Sequence, residues 1–249
     1  MAGYRNLMWL VSESFVNGFY YRPRVDHNLL LSHSEGLIAL SACLSGEVPQ
    51  LILQGQHEDA VKAAQRYEQI FGQGNFFLEM QENNIPDQKV VNKALAEISE
   101  NTGIPLAATN DCHYMYQDDA FSHEVLLCIQ TGKTMSDPDR MRMHSDTFYV
   151  KSSEEMAAAF EDHPEAIANT GKIADRCNVE LDFGHLSLPH FETPEGEPAA
   201  VYLRQLCAEG LEERLKTKAE GITEKEYWQR LELELEVIIE MGFADYYLI

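Results

Sequence analysis

Ile104-Pro105-Leu106-Ala107-Ala108-Thr109-Asn110-Asp111-Cys112-His113-Tyr114 is a short apolar run that ends abruptly in polar residues. Its first part has the length and composition of a buried β-strand. In an extended backbone, residues two apart share a face, so Asp111 and His113 are expected to project together from the strand's carboxyl end. Ligands in open α/β folds and βα-barrels gather at that end. A carboxylate oxygen beside an imidazole nitrogen is half of a metal site. A turn aspartate followed by a hydrogen-bonded histidine explains the same letters, and the residues alone leave both readings open.

Working outward, Gly103 sits in the C-cap position of a predicted helix over 87–102. Phe76-Phe77-Leu78-Glu79-Met80 is the preceding strand, and Ala60, Ala63, Ala64, Tyr67, Ile70 and Phe71 line one face of a helix over 57–71. Gly36-Leu37-Ile38-Ala39-Leu40-Ser41-Ala42 is a further strand, leading into a short helix over 48–53. An amphipathic helix over 3–16 and an aromatic turn, Gly18-Phe19-Tyr20-Tyr21-Arg22-Pro23, open the chain. Strand, helix, strand, helix, strand is the pattern of an α/β fold with a parallel sheet or barrel. Helices near 118–130, 152–160 and 164–177 and a strand over 147–150 continue it.

Gly184, Pro189, Pro194, Gly196 and Pro198 crowd the segment 182–198, which marks a domain boundary. Two charged helices over 199–218 and 223–240 follow. Phe243 to Ile249 stop without a cap or polar tail, as a chain cut within an element would.

The charge is the unusual part of the composition. With 41 acidic and 19 basic residues, the formal net charge is −22. Such a surface repels a nucleic-acid backbone unless a basic patch or metal ions intervene. Asp139-Arg140-Met141-Arg142 is too short to be that patch. Five scattered cysteines with no C-x-x-C spacing argue against a disulfide framework and for a reducing, cytoplasmic setting. No apolar run is long enough for a membrane span and no signal-peptide pattern opens the chain, so no membrane association is expected.

Cys43 closes the 36–42 strand and offers a thiolate at a strand end neighbouring that of Asp111 and His113. A free cysteine also packs well as a small hydrophobe. Three such ligands can bind one metal; they do not define a multi-metal hydrolase. Glu79 and Glu82 lie near the same edge, with a surface role the simpler account. His123 and Glu124 read as a solvated helix face, and His144, His185 and His190 as structural or surface residues. Gly132-Lys133-Thr134 lacks the glycine turn of a phosphate loop. No serine sits in a Gly-x-Ser-x-Gly elbow, and no Asp-x-Asp cluster is placed to hold paired Mg²⁺.

Several segments together resemble the bacterial replicative DNA polymerase III alpha subunits. They are Gly18-Phe19-Tyr20-Tyr21-Arg22-Pro23-Arg24-Val25-Asp26, Gly36 through Pro49, Ala108-Thr109-Asn110-Asp111-Cys112-His113-Tyr114, Cys128-Ile129-Gln130-Thr131-Gly132-Lys133, and Met241 through Ile249. The resemblance covers essentially the whole chain in order. It implies a partial βα-barrel of the PHP (polymerase and histidinol phosphatase) type over 1–190, followed over 191–249 by an α-helical start of the polymerase palm. In that family a metal cluster lies at the barrel strands' carboxyl ends, and its last three ligands fall here on Cys43, Asp111 and His113. Zn²⁺ or Mn²⁺ is the implied ion there, and Mg²⁺ at a palm site whose aspartates lie beyond this sequence.

By the same resemblance the first six cluster ligands would precede residue 1, so the chain is expected to be a fragment, inactive alone and with no catalytic residue assigned. The implied parent is a DNA-directed DNA polymerase of DNA replication, working on DNA and deoxynucleotides with a sliding clamp, a clamp loader and a proofreading exonuclease subunit. Its PHP portion would contribute to a metal-dependent 3′→5′ exonuclease site, or else serve as a non-catalytic scaffold that docks the separate exonuclease.

Overall fold

Phe76–Gln81 (β2) is apolar on both faces except at Glu79 and its last residue, Gln81, and five of its six residues are buried. That is the signature of a strand covered from both sides. It runs parallel to Ala39–Leu40 (β1), with Ala39 opposite Phe76, and to Leu106–Thr109 (β3), with Leu78 opposite Leu106. The sheet is three-stranded in the order β1-β2-β3. The computed structural model describes residues 1–181, 183–184, 188–217 and 221–249. They fall into two units, Met1–Glu180 and Leu181–Ile249.

The first unit carries helices α1 (Ala2–Val16), α2 (His27–Ser32), α3 (Glu47–Leu53), α4 (His57–Phe71), α5 (Pro86–Thr102), α6 (Ala120–Thr131), α7 (Ser153–Ala159) and α8 (Pro164–Arg176). Parallel neighbours need a crossover. Here α3 and α4 connect β1 to β2, and α5 connects β2 to β3. The expected face of α4 is the buried one: Ala60, Ala63 and Ala64 join Phe76, Leu78, Met80, Leu95 and Ile104 in one core. α8 packs on β3, where Asn169 Nδ2 donates a buried hydrogen bond of 2.8 Å to the Leu106 carbonyl. Helix ends follow local chemistry. Ser152 and Glu155 form a capping box on α7, and Gly103 ends α5 in the left-handed region.

The α/β class and the parallel sheet agree with the sequence. Three details differ. The strand expected over 36–42 is paired only at Ala39–Leu40, because Gly36 and Ala42 both have positive φ (74° and 66°) and bend the chain out of extension. Gly36 also touches α1 backbone to backbone: a Cβ on Gly3 would stand 1.9 Å from the Gly36 carbonyl oxygen. The expected strand over 147–150 is reduced to an isolated parallel bridge between Tyr114 and Tyr149. The sequence reading also missed α2, whose N-cap Asp26 accepts from the Leu29 N–H at 2.8 Å.

In the second unit, α9 (Ala199–Leu215), α10 (Glu224–Glu240) and α11 (Ala244–Leu248) share a small core of Ala199, Leu203, Leu235 and Ala244. The two charged helices form where expected, although residue 218, the expected end of the first, lies outside the described residues, as does His185. Phe243 to Ile249, expected to be a cut element, holds the short helix α11. His190 is a surface residue paired with Asp245 at 2.8 Å.

Glu47, in the first turn of α3, ties that helix to α4. Its carboxylate accepts from Tyr67 Oη at 2.7 Å and Arg66 Nη2 at 2.5 Å. Burial alone would raise its pKa, but the bonds from Tyr67 and Arg66 outweigh burial and hold it below the usual range. Tyr67 is pushed up to about 12, by burial and by the same carboxylate. A depressed folded-state pKa gives stability that is present above the ordinary carboxylate pKa and lost as pH falls through the depressed one. Glu47→Gln should therefore flatten the acid side of a melting-temperature profile across roughly pH 3–6, and an unchanged profile would show the contact to be energetically idle. Leu78 is fully buried and Val90 is 55% exposed. Urea denaturation should show Leu78→Ala costing about 2–5 kcal/mol and Val90→Ala within about 0.5 kcal/mol of wild type.

Candidate metal centre

β3 ends at Thr109 and the chain turns at once. Asp111 lies in the left-handed region with φ 52°, which aspartate and asparagine tolerate better than most residues. Asp111 and His113 do converge, but through this turn and not through strand alternation as the sequence suggested. His113 Nε2 stands 3.4 Å from Asp111 Oδ1, with both side chains about one-third exposed (39% and 34%). A charge-assisted hydrogen bond would be nearer 2.7–2.9 Å. Two donors about 2.1 Å from one tetrahedral ion stand ~3.4 Å apart, so the pair fits a shared cation.

The turn is held from several sides. The His113 N–H donates to the Phe148 carbonyl at 2.8 Å, and the two rings meet edge to face at 5.3 Å. Asn110 Nδ2 donates to the Tyr149 carbonyl at 2.7 Å. Asn83, fully buried just beyond β2, donates from Nδ2 to the carbonyls of Asn110 (3.1 Å) and Thr147 (3.2 Å). Its own N–H is taken by Gln88 Oε1 at 2.7 Å and its Oδ1 by Gln88 Nε2 at 3.1 Å. The segment 147–150 therefore serves as a brace along 113–115.

Cys43 is exposed and lies just after β1. The sheet order puts β2 between β1 and β3, so the two strand ends are not neighbours as the sequence suggested. Cys43 lies three residues past the end of β1 and Asp111 two past the end of β3, with β2 between the two strands. Cys43 borders a cavity of about 10 Å³ with Glu79, Gln81 and Asn92, room for about one water. Among the described residues no three His, Cys, Asp or Glu side chains converge to hold a metal ion. The donors present are a pair, and Asp111 and His113 are its members.

Glu79 is the polar interruption of β2. Its carboxylate accepts from Thr109 Oγ1 at 2.5 Å and Gln81 Nε2 at 3.3 Å, and its N–H donates to buried Ser41 Oγ at 2.8 Å. It cross-links the three strand ends and is not the surface carboxylate the sequence favoured.

The helix face expected to be solvated is packed. His123 meets His113 at 5.7 Å and Tyr114 at 5.4 Å between ring centroids, and its Nδ1 is buried without a hydrogen-bond partner. Glu124 pairs at 3.0 Å with Arg140, whose side chain is 7% exposed. Both were missed in the sequence reading. The available signal was the i, i+3, i+4, i+7 stripe of Ala120, His123, Glu124 and Leu127 on α6. Burial also pushes the Tyr114 hydroxyl pKa up.

A parallel α/β unit belongs to the class of architecture whose ligands bind beyond the strands' carboxyl ends. The family comparisons are more specific. Residues 1–83 match the PHP domain family, and residues 201–249 match the family described as the bacterial DNA polymerase III alpha NTPase domain. Cys43 falls inside the first match; Asp111 and His113 lie after it.

The chain is 43% identical over 249 residues to DNA polymerase III subunit alpha of Treponema pallidum, covering 100% of this chain and 21% of that protein. It is 43% identical over 238 residues to the Thermus aquaticus subunit, covering 93% of this chain and 19% of that one. The Borreliella burgdorferi subunit is 42% identical over 249 residues, 99% of this chain and 21% of its own length. The chain is similar to the bacterial DNA polymerase III alpha subunits along its length and spans about a fifth of theirs.

Asn83→Ala keeps the backbone N–H to Gln88 Oε1 but leaves Gln88 Nε2 without its acceptor and takes the Asn83 donor from the Asn110 and Thr147 carbonyls. It should cost about 1–3 kcal/mol in urea denaturation and speed amide exchange at His113. A loss of stability with no change at His113 would mean that Asn83 supports the core alone.

Proposed function

We propose that the chain is a segment of a DNA-directed DNA polymerase of DNA replication. In this reading residues 1–190 belong to a PHP-type βα-barrel and residues 191–249 open the palm region. Identity of 38–43% to subunits of that name along the chain supports it. DNA and deoxynucleotides are the substrates of the whole protein, with Mg²⁺ at its polymerase site, and a sliding clamp, a clamp loader and a proofreading exonuclease are its partners.

Within it, Asp111 and His113 contribute to a metal-dependent 3′→5′ exonuclease site. The 3.4 Å approach of Asp111 Oδ1 to His113 Nε2 carries this reading. A bound Zn²⁺ or Mn²⁺ would supply an acidified water and a clamp for the phosphodiester oxygens. The chain's own residues hold the two donors at a fixed separation and shield one side of the imidazole with Phe148 and His123. Cys43, exposed just past the carboxyl end of β1, is the third member of this donor set.

That no third ligand side chain converges with Asp111 and His113 among the described residues favours a second reading, in which the PHP portion braces the polymerase and docks a separate exonuclease. The two are distinguished in a polypeptide of the relatives' full length carrying this segment. Asp111→Asn and His113→Ala should lose bound metal by elemental analysis and lower 3′→5′ degradation at least about 100-fold. Melting temperature and primer extension should be unchanged. Full metal content without nuclease activity in the unmutated protein would leave the bracing role.

A further inference from the structure

Lys151 lies where a phosphate-binding lysine would be sought, beside the turn that carries Asp111 and His113. Its hydrogen bonds say otherwise. Nζ donates to Asn110 Oδ1 at 2.7 Å, to the Thr147 carbonyl at 2.6 Å and to the Glu82 carbonyl at 3.4 Å. An ammonium has three protons, so none remains for a substrate oxygen.

The three acceptors come from three separate pieces of chain. Glu82 follows β2, Asn110 follows β3, and Thr147 begins the brace. Asn110 then uses its own Nδ2 on the Tyr149 carbonyl at 2.7 Å. Its side chain is thus held at both ends by one short stretch, at Tyr149 and Lys151. Asn110 is also the residue immediately before the left-handed Asp111. Any rotation of the 110–113 backbone moves Asp111 Oδ1 relative to His113 Nε2. Burial disfavours the charged form of Lys151, and Cys112, Glu155 and Glu82 act against that shift. Its ring contact with Tyr149, 5.4 Å from Nζ to the centroid, fixes its direction further.

We infer that Lys151 is the positioning residue of the Asp111–His113 pair, holding the Asn110 side chain so that the strained turn presents both donors to one point. The inference rests on the proposed metal half-site for its purpose, but its geometry stands independently. Removing the ammonium leaves Asn110 Oδ1 and the Thr147 carbonyl short of a donor, and the turn loses the constraint against relaxing Asp111 toward ordinary φ.

The test uses the 249-residue chain in NMR, with Lys151→Met, which keeps the stem and removes the charge. Without metal, the His113–Phe148 ring cross-peak should disappear. Amide protection at His113 should fall at least about tenfold, while that at Leu78 and Leu95 is unchanged. Retention of both signals at His113 overturns the inference.

Mn²⁺ alone is then titrated. It should selectively broaden the His113 ring signals in the unmutated chain, and the midpoint should move upward by about fivefold or more in Lys151→Met, within the range of supporting-residue effects on metal sites. An unmoved midpoint also overturns it, since a lysine that only stabilises the fold would act on protection and not on metal affinity. If Mn²⁺ leaves His113 untouched even in the unmutated chain, the half-site reading fails, and the metal-free arm still decides what Lys151 does. Should Lys151→Met fail to fold, Asn110→Ala, which removes the lysine's side-chain acceptor, must give the same losses at His113 or the inference falls.

Discussion

The parallel pairing of β2 with a strand on each side is the constraint on which the first unit depends. β2 buries Phe76, Leu78 and Met80 against helices and lends its backbone to β1 and β3 at once. A strand so placed must satisfy every backbone group through its neighbours, because no water reaches it. The two crossovers follow, since parallel strands cannot be joined by a tight turn. The strand ends then arrive together at one edge, with Glu79, Ser41, Thr109 and Gln81 cross-linking them.

What happens beyond that edge is polar engineering. Asn83, Asn110, Gln88 and Lys151 form a lattice in which most donors are matched to carbonyls of irregular backbone. Buried carbonyls outside regular structure need such partners. The same lattice holds Asp111 in a conformation that costs energy by itself. Asp111 and His113, the two ligand-type side chains, sit within this satisfied network. The network stabilises the pair's geometry even though the pair alone is too few donors for a closed coordination shell.

The elements most legible in the sequence were those with a strong period or an unambiguous terminus. The alanine face of α4, Gly103 after α5 and the apolar run of β2 each carry their structure locally. β1 was overestimated because its apolar letters continue past the point where Gly36 and Ala42 turn the backbone. α2 was missed because six residues give too little period, and only the Asp26 cap announced it. At the site, Asp111 and His113 were legible as residue types. Their convergence was expected for the wrong reason, and the order β1-β2-β3, which sets β2 between the strands that lead to Cys43 and to Asp111, left no trace in the letters. His123 and Glu124 looked solvated because their partners, Tyr114, His113 and Arg140, come from loops with no periodicity.

The sequence by itself determined the α/β class, the parallel sense of the sheet, the positions of the longer helices and the likeness to DNA polymerase III alpha subunits. These rest on hydrophobic period, capping chemistry and segment-by-segment similarity, all local properties. Only the tertiary structure decided which strand lies in the middle, how the 110–113 turn is bent, and that Lys151 faces backbone carbonyls and an asparagine side chain. Those outcomes depend on hydrogen bonds between residues 27 to 69 positions apart. No local pattern encodes which distant carbonyl a buried donor will meet.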